Sequence, residues 1–489
     1  MPADYSPVLE DYIIMNFILT ALVMILSFQS IFAQPIQKNR AIILTDIEAD
    51  PDDTQSLVRL LLYSNEIDLQ GLVATTSCWH KSEVNPESIE KIVRAYGEVQ
   101  PNLIKHEAGF PGTEELLLLV KKGLPKYGMS GVGEGKDSEG SDWIIKILEE
   151  KDERPLWISV WGGVNTLAQS LHKIKNTKSE PEAKKLIAKL RVYTISDQDD
   201  SGIRIRNNFP GLFYIVSPGD HYGSATWSAI NTFVEGISNE TISNSWIAQN
   251  IQQDHGPLGA AYPDVAWGME GDTPSFLSLI PNGLNETEHP DWGGWGGRYE
   301  LYKPDIAALK KGGSDVPLEP ETREIWTNAM DRYTPYIYKE YGRAVGGDTV
   351  SFADNKVTLW RWRDDFQNDF AARMDWCTKS YREANHPPVP VLGHDEQITV
   401  KSGEGFGLDA GGSADPDGDH LSYLWFHYPE AGSYKKEIKI EGAENSHGAY
   451  VVAPEVDKKE TAHFILKLTD HGKPQLSRYK RVIVTIIPK

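Results

Sequence analysis

Five carboxylates lie within eight residues near the start of the chain: Asp46, Glu48, Asp50, Asp52 and Asp53. Like charges at this spacing repel each other unless a cation or solvent offsets the repulsion. Oxygen ligands alone suit calcium or magnesium. An acidic helix cap is the alternative, because Asp side chains bond free N–H groups and favour the helix dipole. Capping explains Asp52 or Asp53 but not Asp46, so the pattern favours a metal or substrate site.

The segments around these carboxylates predict a strand, a loop and a helix. Residues 41–44 are apolar, and Leu57, Leu60 and Leu61 recur at helical spacing after the acidic residues. A strand followed by a polar or aromatic loop is also predicted at residues 67–80, 155–165 and 190–200, and a further strand at residues 212–217.

Helical patterns at residues 89–96, 143–148 and 167–174 lie between these strands. Alternation of strand and helix predicts an α/β domain with a mostly parallel sheet and helices on both faces. In such sheets the ligand crevice lies beyond the carboxyl ends of the strands. We therefore expect the four loops to converge on one side of the sheet.

Length and charge limit the class of protein. A chain of 489 residues is long enough for two or three domains. Its 49 Lys and Arg residues against 70 Asp and Glu residues give a formal charge of -21. We expect no binding to nucleic acid or to anionic membranes, and a neutral or cationic partner.

The N-terminal region, residues 1–34, predicts a signal peptide. Its apolar run of 12 residues, 17–28, is short for a membrane span and is followed by small residues. A membrane anchor is the alternative, since no Lys or Arg precedes the run. We expect a secreted or periplasmic protein with no stable membrane span after signal removal. With only Cys78 and Cys377, a disulfide framework is excluded.

The C-terminal part has a different character. The predicted α/β domain spans residues 38–385, and the proline-rich stretch 386–393 is typical of a stiff linker. Alternating and apolar runs predict an Ig-like β-sandwich at residues 394–489. Its Asp-Pro-Asp-Gly-Asp run at residues 415–419 lacks EF-hand spacing and favours a turn over a calcium loop.

Three motifs carry a family resemblance that covers about residues 40–299: residues 45–53, 199–202 and the run EGDTPSFL at 270–277. With an Asp-Asp loop after the first strand, and Thr75 and Thr76 after the second, the chain resembles the nucleoside hydrolases. It is more closely similar to the nucleoside-hydrolase-like family of cellulose-binding proteins, whose members carry a C-terminal β-sandwich.

The resemblance implies that a water bound to Ca²⁺ attacks an anomeric carbon. It implies four calcium ligands: Asp46, Asp53, the backbone carbonyl near Trp161, and Asp272. Asp52 matches the residue that binds a sugar hydroxyl. Asp46 would also accept the proton of the water, because the cation lowers the water's pKa.

The chain departs from the nucleoside-hydrolase motif at several positions. Glu48 falls on the family's base and Asp46 on the motif's first Asp, so either carboxylate is a candidate base. The family's later Asn is matched by Asn207 or Asn208. Gly271 stands where nucleoside hydrolases have a histidine near the leaving base, which makes a purine or pyrimidine riboside a less secure expectation.

Aromatic and histidine side chains complete the predicted site. His80 is the first candidate for the acid that protonates a leaving group, and its neighbour Trp79 for a substrate contact. Trp292 and Trp295, in the run HPDWGGWGGR, offer flat faces that stack on sugars or bases. Packing of both indoles inside the protein is the alternative.

These observations predict a secreted, metal-dependent hydrolase that cleaves an N- or O-glycosidic bond of a carbohydrate or nucleoside. The alternative is a non-catalytic protein that binds a cellulose-like polysaccharide. The aspartates favour catalysis, whereas the missing histidine and the Trp-Gly-Gly-Trp-Gly-Gly segment favour binding.

Overall fold

The central sheet is built from strands that are buried on both faces. In the first strand, Ala41 and Ile43 pack into one apolar core, and Ile42 and Leu44 pack into another. Side chains alternate across a strand, so two apolar faces require a layer of helices on each side. The computed structural model describes residues 37–309, 311–335, 339–340, 343–344 and 350–489.

Among the described residues, the strands of this sheet are β1 (Asn39–Thr45), β2 (Ile67–Ala74), β3 (Val120–Lys122), β4 (Leu156–Val160), β5 (Leu190–Ser196), β6 (Phe213–Ser217), β7 (Tyr299–Tyr302) and β8 (Ile325–Asn328). Their order across the sheet is β3-β2-β1-β4-β5-β6-β8-β7. Every neighbouring pair is parallel except β7 and β8. The predicted α/β fold with a mostly parallel sheet is confirmed.

The α-helices in the same described ranges are α1 (Asp52–Leu61), α2 (Pro86–His106), α3 (Thr113–Leu119), α4 (Glu139–Glu149), α5 (Asn165–Thr177), α6 (Glu180–Ala188), α7 (Ser201–Asn208), α8 (Asn244–Ile247), α9 (Gly256–Ala260), α10 (Pro274–Leu277), α11 (Val357–Trp360) and α12 (Arg363–Asp375). Helices α1, α2 and α12 contribute to the core on one face of the sheet, and α4 and α5 to the core on the other. Short 3₁₀ segments are Gly128–Gly131, Tyr222–Ser224, Thr226–Ile230, Glu240–Ile242, Pro290–Trp292 and Ile306–Ala308, and Ala248–Gln252 is π-helical.

The C-terminal part is all-β, as predicted. Its strands, with two small hairpins before them, are β9 (Asp331–Tyr333), β10 (Lys339–Glu340), β11 (Arg343–Ala344), β12 (Phe352–Asp354), β13 (Gln397–Lys401), β14 (Gly405–Asp409), β15 (Leu421–His427), β16 (Ile440–Glu441), β17 (Gly448–Val452), β18 (Glu460–Asp470) and β19 (Ser477–Ile487). The order in one sheet is β13-β19-β18-β15, and in the other β14-β17-β16. Trp425, Phe464 and Val484 lie in the core of this part. The Ig-like assignment and the domain boundaries stay predictions.

The stretch predicted as a linker lies along the sandwich. Val389 and Ala414 exchange backbone hydrogen bonds of 2.8 and 3.1 Å. His386 is buried, and its Nδ1 lies 3.0 Å from a carboxylate oxygen of Asp417. Residues Asn39–Lys489 form one compact unit, so the stretch is an ordered part of that unit.

Aromatic side chains join the sandwich to the α/β part. Trp295 is 0% exposed, and its ring centroid lies 6.3 Å from that of Phe366 in α12 and 6.4 Å from that of Tyr479 in β19. Trp362 lies 5.7 Å from Tyr479 and 6.1 Å from Tyr428 between ring centroids. Buried aromatic rings in this geometry contribute large apolar contact areas.

Buried charges reinforce the same junction. Asp369 of α12 accepts from Arg478 of β19 at 2.5 Å and from Tyr63 at 2.7 Å, and its other charged neighbour is Arg373 at 3.3 Å. Burial acts to raise the pKa of Asp369, but Arg478 and Arg373 outweigh it and hold this pKa below its ordinary value. The ionised carboxylate is therefore the buried partner of two guanidinium groups.

The substitution Asp369→Asn should destabilise the folded protein by about 3 kcal/mol or more, because it leaves buried guanidinium charge without its partner. Urea unfolding followed by tryptophan fluorescence measures this change. The control is Glu455→Gln, which removes an exposed ion pair with Lys489 of 2.7 Å and should leave the midpoint unchanged. Equal midpoints for the two variants would contradict the role given to Asp369.

The predicted signal peptide, residues 1–34, lies outside the described residues. Of the helices in the described part of the chain, none has the length and apolar character that crossing a membrane requires.

Candidate functional site

Loops from different parallel strands are tied together at the carboxyl edge of the sheet. The N–H of Gly163, after β4, donates to the carbonyl of Thr76, after β2, at 2.8 Å. The N–H of Cys78 donates to the carbonyl of Gln198, after β5, at 2.7 Å. The predicted convergence of the loops therefore takes place, and it surrounds the acidic residues after β1.

Three of these acidic residues form a close group at the start of α1. Asp50, Asp52 and Asp53 each place a carboxylate oxygen within 4.8 Å of the others. Asp50 also accepts a hydrogen bond of 3.1 Å from the N–H of Asp52, and Asp53 accepts one from the Thr45 hydroxyl at the end of β1. The bond between Asp50 and the backbone at the start of α1 is of the capping kind. The Asp53 carboxylate instead bonds Thr45 of the sheet.

Asp46 lies where β1 ends and is only 3% exposed. Its carboxylate packs against the backbone after β4, since a Cβ on Gly162 would lie 2.4 Å from Asp46 Oδ1. This close approach explains why the position carries glycine.

The carboxylates of this region oppose each other's ionisation. Burial raises the pKa of Asp46 to about 6, with a further contribution from Asp50 and an opposing hydrogen bond from Ser77. Burial raises the pKa of Asp53 as well, followed by the charge of Asp46, and raises that of Asp52. Two ionised carboxylates about 5 Å apart repel by roughly 3 kcal/mol at an effective dielectric constant of about 20. Full ionisation of the cluster therefore requires that a cation or solvent offset this repulsion.

Asp272, from a distant part of the sequence, lies within electrostatic range of this cluster, although it is not one of the three residues whose carboxylate oxygens lie within 4.8 Å of one another. Burial raises its pKa, and the next largest causes are the charges of Asp52, Asp53 and Asp46. The preceding residue, Gly271, packs against Asp52, because a Cβ on Gly271 would lie 2.6 Å from Asp52 Oδ2. A larger side chain at position 271 would therefore displace Asp52.

A buried ion pair places Asp272 against α1. Glu270 has a φ of 51°, and its carboxylate lies 2.5 Å from Arg59 Nε of α1. Tyr262 donates to the same carboxylate at 2.7 Å, and the N–H of Glu270 donates to Gln55 Oε1 at 2.9 Å. Glu270 opens the EGDTPSFL run but was given no role from the sequence, and Arg59 belongs to none of the motifs.

The donor set fits a hard divalent cation. Asp272 Oδ2 is buried and has no hydrogen-bond partner within the described part of the chain, although buried acceptors are nearly always satisfied. The donors nearby are carboxylate oxygens, which suit calcium or magnesium rather than softer metals.

The carbonyl predicted to complete this shell is already engaged. The side-chain amide of Gln198 donates to the carbonyl oxygen of Trp161. The Trp161 indole donates to Ser159 and Ser275 at 3.0 Å each. A carbonyl oxygen has two lone pairs, so this one hydrogen bond leaves a second lone pair that could bind a cation.

The two candidate bases are placed differently. Glu48 is exposed, has a φ of 81°, and accepts a hydrogen bond of 2.6 Å from Ser88. It is not brought into the cluster with Asp46. His80 is close enough to Asp46 to lower the pKa of that carboxyl, and its Nε2 lies 3.3 Å from Asn85 Nδ2.

A line of aromatic side chains leads from solvent to Asp272. Trp79 is 50% exposed, and its indole donates to Tyr222 at 3.0 Å. The Tyr222 ring lies 5.4 Å from that of Trp227, and a Cβ on Gly271 would lie 3.0 Å from the Trp227 ring. The sequence analysis predicted Trp79 but not Tyr222 or Trp227. The position of both residues just after strand β6 is the signal that could have indicated them.

Three predicted substrate contacts are not brought to the acidic cluster. Trp295 has no exposed face on which a substrate could stack, because it is fully buried at the junction with the sandwich. Trp292 stacks on His289 with ring centroids 3.9 Å apart and contacts His463 of the sandwich at 4.8 Å. Asn208 is exposed at the last turn of α7, where its amide bonds the carbonyl of Arg204 at 2.8 Å. The surroundings of both indoles therefore match the alternative, in which they pack inside the protein.

A further buried carboxylate, Asp199, holds the loops in position. Its Oδ1 accepts from the N–H of Ser201 at 2.8 Å, and its Oδ2 from the N–H of Asn165 at 3.1 Å. It thus joins the first turns of α7 and α5. Burial raises the pKa of Asp199 to about 6 despite these hydrogen bonds.

The raised pKa of Asp199 should make stability fall as pH rises from about 4 to 6. In this range the folded protein retains a proton that the unfolded chain loses, which costs up to about 3 kcal/mol. Urea midpoints at several pH values should show a shallower decline in Asp199→Asn than in the wild type. The exposed control Asp395→Asn should keep the wild-type slope, and an unchanged slope in Asp199→Asn would contradict this assignment.

Comparisons with known proteins identify the family of the chain. A family model described as "Cellulose-binding Sde182, nucleoside hydrolase-like domain" matches residues 40–299. The chain belongs to this family. A second model, "Cellulose-binding protein Sde0182, C-terminal domain", matches residues 405–486. No curated protein matches the chain.

Solved structures extend the comparison. A nucleoside hydrolase-related hypothetical protein from Saccharophagus degradans, associated with carbohydrate metabolism, is 37% identical with a TM-score of 0.76, and the match covers 93% of this chain and 100% of that one. The effector XopQ, solved with adenosine diphosphate ribose, is 12% identical with a TM-score of 0.28 over 51% of this chain and 69% of its own. The effector XOO4466 is 11% identical with the same TM-score over 60% and 88%. The two effector matches are too weak to support a conclusion.

Proposed function

We propose that this protein is a metal-dependent hydrolase of an N- or O-glycosidic bond, with the acidic cluster as its active site. The observation that supports it most is the buried, unpartnered oxygen of Asp272, which lies within electrostatic range of Asp46, Asp52 and Asp53. A binding cation would explain both the unpartnered oxygen and the crowding of carboxylates.

Asp46, Asp53 and Asp272 would hold calcium, with Asp50 beside them. When bound, calcium lowers the pKa of a water molecule and so eases loss of its proton. Asp46 is the base we favour over Glu48, because Asp46 is buried in the cluster whereas Glu48 faces solvent and bonds Ser88. Proton transfer to a carboxylate requires hydrogen-bond distance from the water.

The remaining roles follow from position around the cluster. Asp52 is partly exposed and would accept hydrogen bonds from sugar hydroxyls. Trp79 and Tyr222 would pack against the flat side of a sugar or a base. His80, near Asp46, would protonate the leaving group. These roles apply to a carbohydrate or a nucleoside as substrate.

The matched variants Asp46→Asn and Glu48→Gln test the base. An amide cannot accept the proton, so Asp46→Asn should lower kcat by about 100-fold or more, whereas Glu48→Gln should retain most of the rate. Product release from a panel of nucleosides and oligosaccharides, with calcium or with chelator, measures this. A full rate in Asp46→Asn, or an equal loss in Glu48→Gln, would contradict the assignment.

Calcium binding is tested separately by calorimetry. Asp272→Asn should weaken calcium affinity by at least about tenfold, since it removes a charged oxygen ligand. Asp395→Asn, an exposed aspartate of the sandwich, is the matched control and should bind calcium as the wild type does. Unchanged affinity in Asp272→Asn would exclude this residue as a ligand.

A second candidate function is carbohydrate binding without turnover. The description of the family as cellulose-binding favours it, as does Gly271, which has no side chain that could act on a leaving group. Retention on cellulose with no product at any calcium concentration would support the binder. Chelator-sensitive product release would support the hydrolase.

We further propose that the protein is secreted or periplasmic. The apolar run at residues 17–28 and the carbohydrate association of the family support this location. Mass spectrometry of the mature N-terminus after expression in a secreting host would test for removal of residues 1–34.

A further inference from the structure

A large cleft lies between the sandwich and the α/β part. Its volume is about 1000 Å³, and its lining includes Trp362 and Asp364 at the start of α12, Phe426 of β15 and Lys467 of β18. Among the described residues that line it, none belongs to the acidic cluster. This volume is at the upper end for small-molecule sites and exceeds what a single sugar needs.

Residues that line the cleft carry buried polar atoms without partners in the described chain: Trp362 Nε1, both ring nitrogens of His427 and Glu430 Oε2. Burial lowers the pKa of His427 to about 4, so the neutral ring offers one donor and one acceptor. The unsatisfied set therefore contains donors and acceptors side by side. Hydroxyl groups, which both donate and accept, match such a set.

Two of the charged side chains that line the cleft already form ion pairs within the protein. Lys467 lies 2.6 Å from Asp365, and Arg361 lies 3.2 Å from Asp331. An ionic ligand would have to compete with these pairs, at a cost in desolvation and lost contacts. The cleft therefore favours a neutral ligand over a phosphate or a carboxylate.

Aromatic side chains also line the cleft and offer apolar surface to a ligand. Phe426 is half-buried, and its ring centroid lies 6.1 Å from that of Trp362. Tyr333 and Tyr423, also partly exposed, line the same cleft. Aromatic rings that alternate with hydrogen-bonding groups suit the apolar faces and hydroxyl edges of pyranose rings.

We propose that this cleft binds a neutral glucan oligosaccharide, at a site separate from the acidic cluster. The junction of the two parts of the chain would then hold a polysaccharide strand in a calcium-independent way. This inference goes beyond the proposed hydrolase function, because it stands whether or not the acidic cluster turns over substrate.

The test uses cellohexaose as probe and measures its affinity for the full chain by calorimetry in the presence of chelator. Phe426→Ala removes a stacking surface, and Ser422→Trp adds bulk at a partly exposed position that lines the cleft. Each should weaken binding by at least about tenfold, corresponding to 1.4 kcal/mol. Thermal melting verifies folding, and Ser422→Trp carries the test if Phe426→Ala does not fold.

Two controls separate this site from other surfaces. Tyr450→Ala alters an aromatic residue of the other sheet, 48% exposed, and Asp395→Asn alters an exposed carboxylate of the sandwich; both residues lie outside the cleft, and both variants should bind as the wild type does. The proposal is overturned if the wild type does not bind cellohexaose, or if the folded Ser422→Trp variant binds it as tightly as the wild type does. Hydrolysis is measured separately, with calcium, on the panel of nucleosides and oligosaccharides. Cleft binding with no product from any member of that panel would refute only the hydrolase proposal, and product release without cleft binding would refute only this one.

Discussion

Mutual repulsion among buried carboxylates is the constraint on which the rest of the structure depends. Asp46, Asp52, Asp53 and Asp272 are drawn together at one edge of the sheet, and burial and neighbouring charges raise the pKa of each. Other interactions must offset this repulsion and hold the carboxylates in place. The Arg59–Glu270 ion pair does so for the loop of Asp272, and the hydroxyl of Thr45 does so for Asp53.

Helix α12 connects this constraint to the sandwich. The Arg59 guanidinium that holds Glu270 also donates to the carbonyl of Phe366 in α12 at 3.3 Å. Further along the same helix, Asp369 pairs with Arg478 of the sandwich. Because one helix contacts both, the sandwich supports the geometry of the acidic site although it contributes no carboxylate to it. This link also explains why Trp295 is buried at the junction and does not face a substrate.

The fold and the convergence of the loops at one edge of the sheet were predictable from local patterns. Apolar runs such as residues 41–44 have the length of a buried strand and are too short for a typical helix. In a parallel sheet the carboxyl ends of such strands lie at the same edge. The direction of individual side chains was not predictable. Glu48 and Asp46 are two residues apart, yet the positive φ of Glu48 turns its carboxylate to solvent, and nothing in its residue type indicates that turn. Trp292 and Trp295 are of the residue type that stacks on sugars, but large apolar rings are also buried where two parts of a protein meet. Only the surroundings of each ring in the folded protein distinguish the two roles.

The sequence by itself determined the alternation of strands and helices, the all-β tail and the acidic loop after the first strand, because each is recorded in periodicity or in the spacing of neighbouring residues. Only the tertiary structure decided which carboxylates share a space, that Glu270 and Arg59 hold them there, and that Tyr222 and Trp227 extend the aromatic line from Trp79. These contacts join residues far apart in the chain. Their energies depend on distance and burial after folding, quantities that no local pattern of residue types contains.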